Sequence, residues 1–356
     1  MYIEISRELF DHIQDPAVTD VLRSAADTMR EGRHFVCTEN YELALLITNV
    51  IKDVDKRTAS FFLRIHDHFS EIAGLKNQVE SYISIVYGSA LEKCGGCIRV
   101  GHQIAQASNF WHKSLFVVEN LDDAKTYSAI TQALKKNIAL SFEPELGGGN
   151  TTCSVIENKL RENYIVFAIV DSDKKSPDSE IGPTAKLIVD SHFIQNHPLC
   201  GFQILNVCEL ENIFFSQSIW RDFMTETQAC KIAKIAEVAE EKDSSIRCFL
   251  DVKSGMSYKQ FDLNSYMQNT IDVIIPDCDT RREKDGKCKK CKRCECKVVS
   301  GVGRYTNDLI KNNDFLNKMQ DYYDELPSLI SLDWNNIARI MSTWACGAKI
   351  QVTECC

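Results

Sequence analysis

Proline is scarce in this chain, 7 in 356 residues, and glycine numbers only 16. No Pro-rich or Ser/Gly-rich stretch separates one part from another, which excludes flexibly strung domains and predicts packed ones. No apolar run reaches the roughly 18 residues needed to cross a bilayer, so no membrane partner is expected. The opening MYIEISRELFDHIQD carries acids where a secretory signal would carry basic residues, which predicts a cytoplasmic protein. There is no excess of positive charge either. The formal net charge is −9, which excludes coating nucleic acid by bulk attraction while leaving room for a local basic patch.

What the chain does have is an ordinary globular composition, 44% apolar and 26% charged, and sixteen cysteines. In a reducing compartment these read as buried small side chains, free thiols or metal ligands rather than disulfides. Residues 1–110 read as a helical N-terminal domain: DPAVTDVLRSAADTMREG has a start signal and helical spacing, and the stretch from TASFFLRIHDHF to YISIVYGSALEK continues in that style. From Lys113 the pattern alternates. SLFVVEN, IALSFE, YIVFAIVDSD and GFQILNVCELENIF read as strands, separated by helical segments of ten to fifteen residues. That alternation predicts βαβ units and an α/β domain with a mostly parallel sheet over 111–255. Residues 256–356 read as mainly helical with a Cys-rich insertion at 278–296. The last helix, SLDWNNIARIMSTWACG, is expected to be capped by Ser331 or Asp333 and closed by Gly347.

Seven nearly unbroken apolar residues, Tyr164–Val170, end in Asp171-Ser172-Asp173. Ligands in open α/β sheets bind beyond the carboxyl ends of strands. Three strand ends here carry acids: Glu119, Asp122 and Asp123 after the first, Asp171 and Asp173 after the third, Glu209 and Glu211 after the fourth. Carboxylates ~4 Å apart repel by about 4 kcal/mol per pair at an effective dielectric of 20. Three such pairs rival the stability of a whole domain, roughly 5–15 kcal/mol. Such a cluster must be protonated, spread out or neutralised by a cation. Oxygen ligands without histidine suit Mg²⁺ or Mn²⁺, and the chemistry they serve is phosphoryl transfer or phosphodiester hydrolysis. The competing reading is that the acids cap the helices that follow.

The order of these motifs, FVVEN at 116–120, a Gly-rich turn, and VDSDKK at 170–175, resembles the TOPRIM domain of topoisomerases, bacterial primases and the overcoming-lysogenisation-defect nucleases. LFVVENLDDAKTY and LNVCELENIF are most similar to the nuclease branch found in bacterial anti-phage systems. The resemblance spans about residues 112–215. It implies a TOPRIM-like sheet flanked by helical N- and C-terminal regions. It also implies Mg²⁺-dependent cleavage of DNA or RNA and a role as defence or toxin effector. By the same resemblance Glu119 is a metal ligand or general acid/base, and Asp171 and Asp173 bind the metal. Asp123, Glu209 and Glu211 are carried over as further metal ligands. A lysine near the metal would stabilise transition-state charge; Lys253, after a strand-like run in FLDVKSGMSYKQF, is the first candidate, with Lys174 and Lys175 behind it. Nucleases of this type usually carry an ATPase, yet residues 1–110 hold no GxxxxGK[ST], so a partner ATPase is implied. A different class also fits: a non-catalytic nucleic-acid- or partner-binding module with a structural metal site.

Two further features stay open. GGGN at 147–150 reads either as a phosphate-approaching loop or as a plain turn. Cys278, Cys288, Cys291, Cys294 and Cys296 lie among lysines and arginines. Four of these five could hold Zn²⁺; a disordered basic loop with free thiols and redox chemistry are the other readings. A second pair, Cys94 and Cys97 in KCGGC, reads as structural or incidental.

Overall fold

The computed structural model describes residues 1–214, 216–223, 245–257, 260, 266–267, 297–301, 303 and 305–348. The chain divides into two compact units. The first comprises Met1–Ile169, Leu187–Gln203 and Ile337–Cys356, and the second Val170–Lys186 and Ile204–Asn336.

The first unit begins with strands, not with the helical bundle expected for residues 1–110. β1 (Tyr2–Ile5), β2 (Phe35–Thr38), β3 (Tyr82–Val86), β4 (Leu91–Cys94) and β5 (Cys97–Gly101) form a five-stranded sheet in the order β2-β1-β3-β5-β4. All neighbours are parallel except the β4–β5 hairpin. The strands are four or five residues long, and an apolar run that short cannot be told from a helix segment by period alone. The stretch with one continuous helical pattern is in fact a helix at Lys56–Asp67, two short turns, and then β3 and β4. The true helices announce themselves through their caps. Asp15 accepts from Ala17 N ahead of Pro16–Arg30, and Asn40 accepts from Leu43 N ahead of Tyr41–Ile51.

β6 (Ser114–Val118), β7 (Ala139–Leu140), β8 (Phe142–Leu146), β9 (Val166–Val170) and β10 (Cys200–Ile204) follow. Four of them make a second sheet ordered β10-β9-β6-β8, in which β6 pairs in parallel with β8 and with β9. The expected mixed α/β architecture with a mostly parallel sheet is therefore present. Every residue of β6 and β9 is buried, as a strand covered on both faces requires. Phe116 stacks on Phe167 with centroids 4.4 Å apart, and Phe142 meets Phe116 edge-on at 5.5 Å. Contacts of this kind add about 0.5–1.5 kcal/mol beyond area burial.

One strand is shifted from its expected place. IALSFE is the apolar choice, but the strand beside β6 is FEPEL, and β7 instead pairs antiparallel with β13 (Cys346–Gly347). β8 is the sheet edge, where Pro144 and the exposed Glu143 are tolerated. Gly347 accordingly sits in a strand and is not a helix cap.

In the second unit β11 (Gly255–Ser257) pairs with β12 (Lys297–Ser300). Helices at Asn313–Tyr323 and Ser328–Trp344 take up much of the described C-terminal region. Asp333 is not the cap of the last helix. It lies inside it, fully buried, and accepts from Asn206 N (2.9 Å), Asn206 Nδ2 (2.6 Å) and Val207 N (3.1 Å). Its neighbour Trp334 donates from Nε1 to Ile213 O at 2.8 Å and packs edge-on against Phe214. One helical turn thus pins both ends of the segment 206–213. Among the described residues no helix is long and apolar enough to cross a membrane.

Replacing Asp333 by Ala would leave the Asn206 and Val207 amides without this acceptor. The expected cost is about 2–4 kcal/mol, read as a lower urea midpoint with an unchanged slope.

Candidate active-site cluster

β9 delivers Asp171 and Asp173 into a turn that only particular residues can make. Asp173 takes φ +54, a left-handed conformation that Asp tolerates better than most side chains. Its amide donates to Cys208 O at 2.8 Å, and Ser172 Oγ donates to Val207 O at 2.5 Å. Gly182 N donates back to Ser172 O at 2.7 Å. A Cβ at Gly182 would collide with the Asp173 carboxylate, so glycine is needed there for the aspartate to keep its position. Asp171 Oδ1 accepts from Leu210 N at 3.0 Å. The Asp-Ser-Asp turn and the segment 207–210 are thereby stitched together.

That segment carries the other acids. Cys208 N donates to Cys248 O at 2.7 Å, and the buried Asn212 ties Arg247 O (2.8 Å) and Leu250 O (3.0 Å) to the same place. The run ahead of Lys253 is not the expected strand: it forms a 3₁₀ turn at Ile246–Phe249, and Lys253 lies in the turn that follows. There Lys253 N donates to Glu209 Oε1 at 2.9 Å, and Lys253 Nζ stands 3.5 Å from Glu211 Oε1. Glu211 is 2% exposed, and its Oε2 is buried with no hydrogen-bond partner. A buried carboxylate oxygen left this way costs of the order of several kcal/mol unless a proton or a cation reaches it.

Burial pushes the Glu209 carboxyl up to about 7; the Lys253 amide pulls the other way, and the charges of Glu211 and Asp251 add to the rise. Lys175 Nζ lies 3.3 Å from Cys208 Sγ. The second unit therefore brings together Asp171, Asp173, Glu209, Glu211 and Lys253 around one set of backbone links, with Lys175 at its margin. Asp251 joins this group without belonging to any sequence motif. Its only signal is its place in LDVK, two residues ahead of Lys253.

Glu119 and Asp123 belong to the first unit. Glu119 is half-buried and follows β6 directly, and Asp123 N donates to Asn120 O in the first turn of the helix Leu121–Leu134. Asp122 pairs with Lys125 at 2.8 Å, an ordinary contact of a first helical turn. Gly148 and Gly149 take φ +70 and +64, so GGGN makes a left-handed turn after β8. Lys174 Nζ donates to Pro177 O at 3.2 Å. Cys278, Cys288, Cys291, Cys294 and Cys296 lie outside the described residues.

Among the described residues, no three His, Cys, Asp or Glu side chains close into a ready metal cage. Mg²⁺ does not need one, since it commonly takes one or two carboxylates and keeps its waters. The all-oxygen acid set suits that ion in type, and the unpartnered Oε2 of Glu211 is a specific place for positive charge. Comparison of the chain with protein-family models, curated proteins and solved structures found no match.

The Glu209 shift has a pH consequence. The carboxyl titrates near 4.5 when unperturbed and near 7 in the fold, so the folded state holds the proton more tightly. The resulting stabilisation is whole below pH about 4.5 and is lost as pH rises to about 7. In chelator, wild type is expected to lose about 2 kcal/mol over that window after allowance for partial exposure. Glu209→Gln should flatten this part of the profile in urea titrations at stepped pH.

Proposed function

We propose that the chain is a Mg²⁺- or Mn²⁺-dependent nuclease that hydrolyses phosphodiester bonds of DNA or RNA, with a TOPRIM-like catalytic region. The observation that carries the reading is the buried Glu211. One of its oxygens faces Lys253, the other has no partner, and Glu209 nearby keeps its proton up to a pH of about 7. Acids gathered at such cost are expected where a cation and phosphate oxygens are to be handled.

Asp171, Asp173, Glu209 and Glu211 are the residues that would hold the ion, and the sequence motif adds Glu119 and Asp123 to them. When bound, the ion supplies charge neutralisation and an activated water. The protein's own groups do the rest. The Leu210 amide fixes Asp171 in orientation, and Asp173 is locked by its turn against Gly182. Lys253 provides a fixed positive charge for the phosphate oxygens. A role as an anti-phage or toxin effector, with a partner ATPase supplying nucleotide hydrolysis, follows from the sequence resemblance. A non-catalytic binding module is the second reading, favoured by the Lys253–Glu211 pair, which already neutralises part of the buried charge without a metal.

Incubation of the purified protein with plasmid DNA and RNA in Mg²⁺ or Mn²⁺ separates the two. Cleavage is expected, with a loss of about 10²-fold or more in Asp171→Asn, Asp173→Asn and Glu119→Gln. A loss of about 10–10²-fold is expected in Lys253→Ala. Thermal melting would show that each variant is folded. Substrates left equally intact by wild type and Asp171→Asn would overturn the enzyme reading in favour of the binding module.

A further inference from the structure

The segment KCGGC forms the tip of the β4–β5 hairpin in the first unit. Cys94 and Cys97 are its last cross-strand pair, directly opposite one another, with Gly95-Gly96 as the two-residue turn between them. Gly95 takes φ +62, as the turns favoured in such hairpins require. Directly opposed residues of an antiparallel pair have Cα atoms about 4.5–5.5 Å apart. A disulfide spans roughly 4.4–6.8 Å. Both cysteines are free thiols, Cys94 exposed and Cys97 half-buried.

Cys97 also has constructed surroundings. Tyr82 is its register partner on β3, so the tyrosine side chain lies beside the Cys97 thiol on the same face of the sheet. Lys76 sits over the Tyr82 ring, its Nζ 3.9 Å from the centroid, and pairs with the buried Glu4 at 2.6 Å. The inner sulfur therefore sits within the sheet beside a tyrosine whose ring is covered by a cation, while the outer sulfur faces solvent. An accessible thiol beside a positioned resolving thiol is the arrangement that disulfide exchange needs.

We propose that Cys94 and Cys97 form a dithiol exchange site that reacts with small-molecule disulfides of the glutathione class, independently of the nuclease reading. The Cys94 thiolate attacks one sulfur of the incoming disulfide, forming a mixed disulfide and releasing the first thiol. Cys97 then attacks the Cys94 sulfur, closing the Cys94–Cys97 bond and releasing the second. The protein loses two electrons and two protons; the incoming disulfide gains them as two thiols. Cys97 is the resolving residue, and Tyr82 is a positioning residue that acts through it.

Trypsin cleavage after Lys93 and Arg99 yields a peptide, CGGCIR, that contains these two cysteines and no others. The full chain, reduced, treated with chelator and exposed to oxidised glutathione, is alkylated and digested. The expected product is an unalkylated peptide lighter by two hydrogen atoms, which reverts in reduced glutathione. Cys97→Ser should accumulate the Cys94–glutathione adduct. Tyr82→Ala should slow closure several-fold and let that adduct build up transiently, with melting temperature as the check on folding. A peptide that stays doubly alkylated, or that carries glutathione on both cysteines, overturns the proposal.

Discussion

A buried glutamate with one oxygen unpartnered is the constraint around which the second unit is arranged. Glu211 cannot retreat to water, because the segment carrying it is fastened at each end by one turn of the last helix, through Asp333 at Asn206 and Val207 and through Trp334 at Ile213. It is fastened again in the middle by Asn212 to Arg247 and Leu250. An acid held under such restraint must be neutralised where it stands. Lys253 does part of this, and two residues away burial, with a smaller contribution from the charge of Glu211, raises the proton affinity of Glu209. The acid cluster and the packing that immobilises it are a single problem, in which the aromatic core of Trp334, Phe214 and Phe315 supplies the rigidity.

The parts of this arrangement that sequence reveals are those with a strong local signature. β6 and β9 are buried on both faces, so their apolar runs are unbroken and their ends are sharp; Asp171 and Asp173 stand out for that reason. Glu209, Glu211 and Lys253 are also visible, each near the end of a hydrophobic run. Their pairing is not, because it depends on two backbone contacts that span 44 and 39 residues, Lys253 N to Glu209 and Leu210 N to Asp171, and no periodicity encodes those. Asp333 is the clearest case of misdirection. Near a helix start an aspartate reads as a cap, and only the approach of Asn206 from 127 residues away reveals its buried role.

The first sheet escapes the sequence pattern for a related reason. Its strands are as short as four residues and are flanked by strongly amphipathic helices, so the helical signal dominates any window long enough to measure. Parallel pairing of β1 with both β2 and β3 joins stretches far apart along the chain. Non-local pairing of this kind is a tertiary decision that overrides local propensity. The same holds for β8, where the more apolar IAL gives way to FEPEL because an edge strand exposes one side and tolerates proline.

The two units handle reactive groups in contrasting ways. In the second, the setting is one of burial: the Glu209 and Glu211 carboxyls are desolvated and held. In the first, the CGGC hairpin keeps Cys94 in solvent and uses the β-ladder to set the distance to Cys97. A two-residue turn fixes the register of its flanking pair more tightly than any side-chain contact could, since a slip of one residue would send the two sulfurs to opposite faces. Positive φ at Gly95 is therefore the element on which the thiol geometry rests. A β-branched residue there would disturb the pair through the backbone even with both cysteines intact.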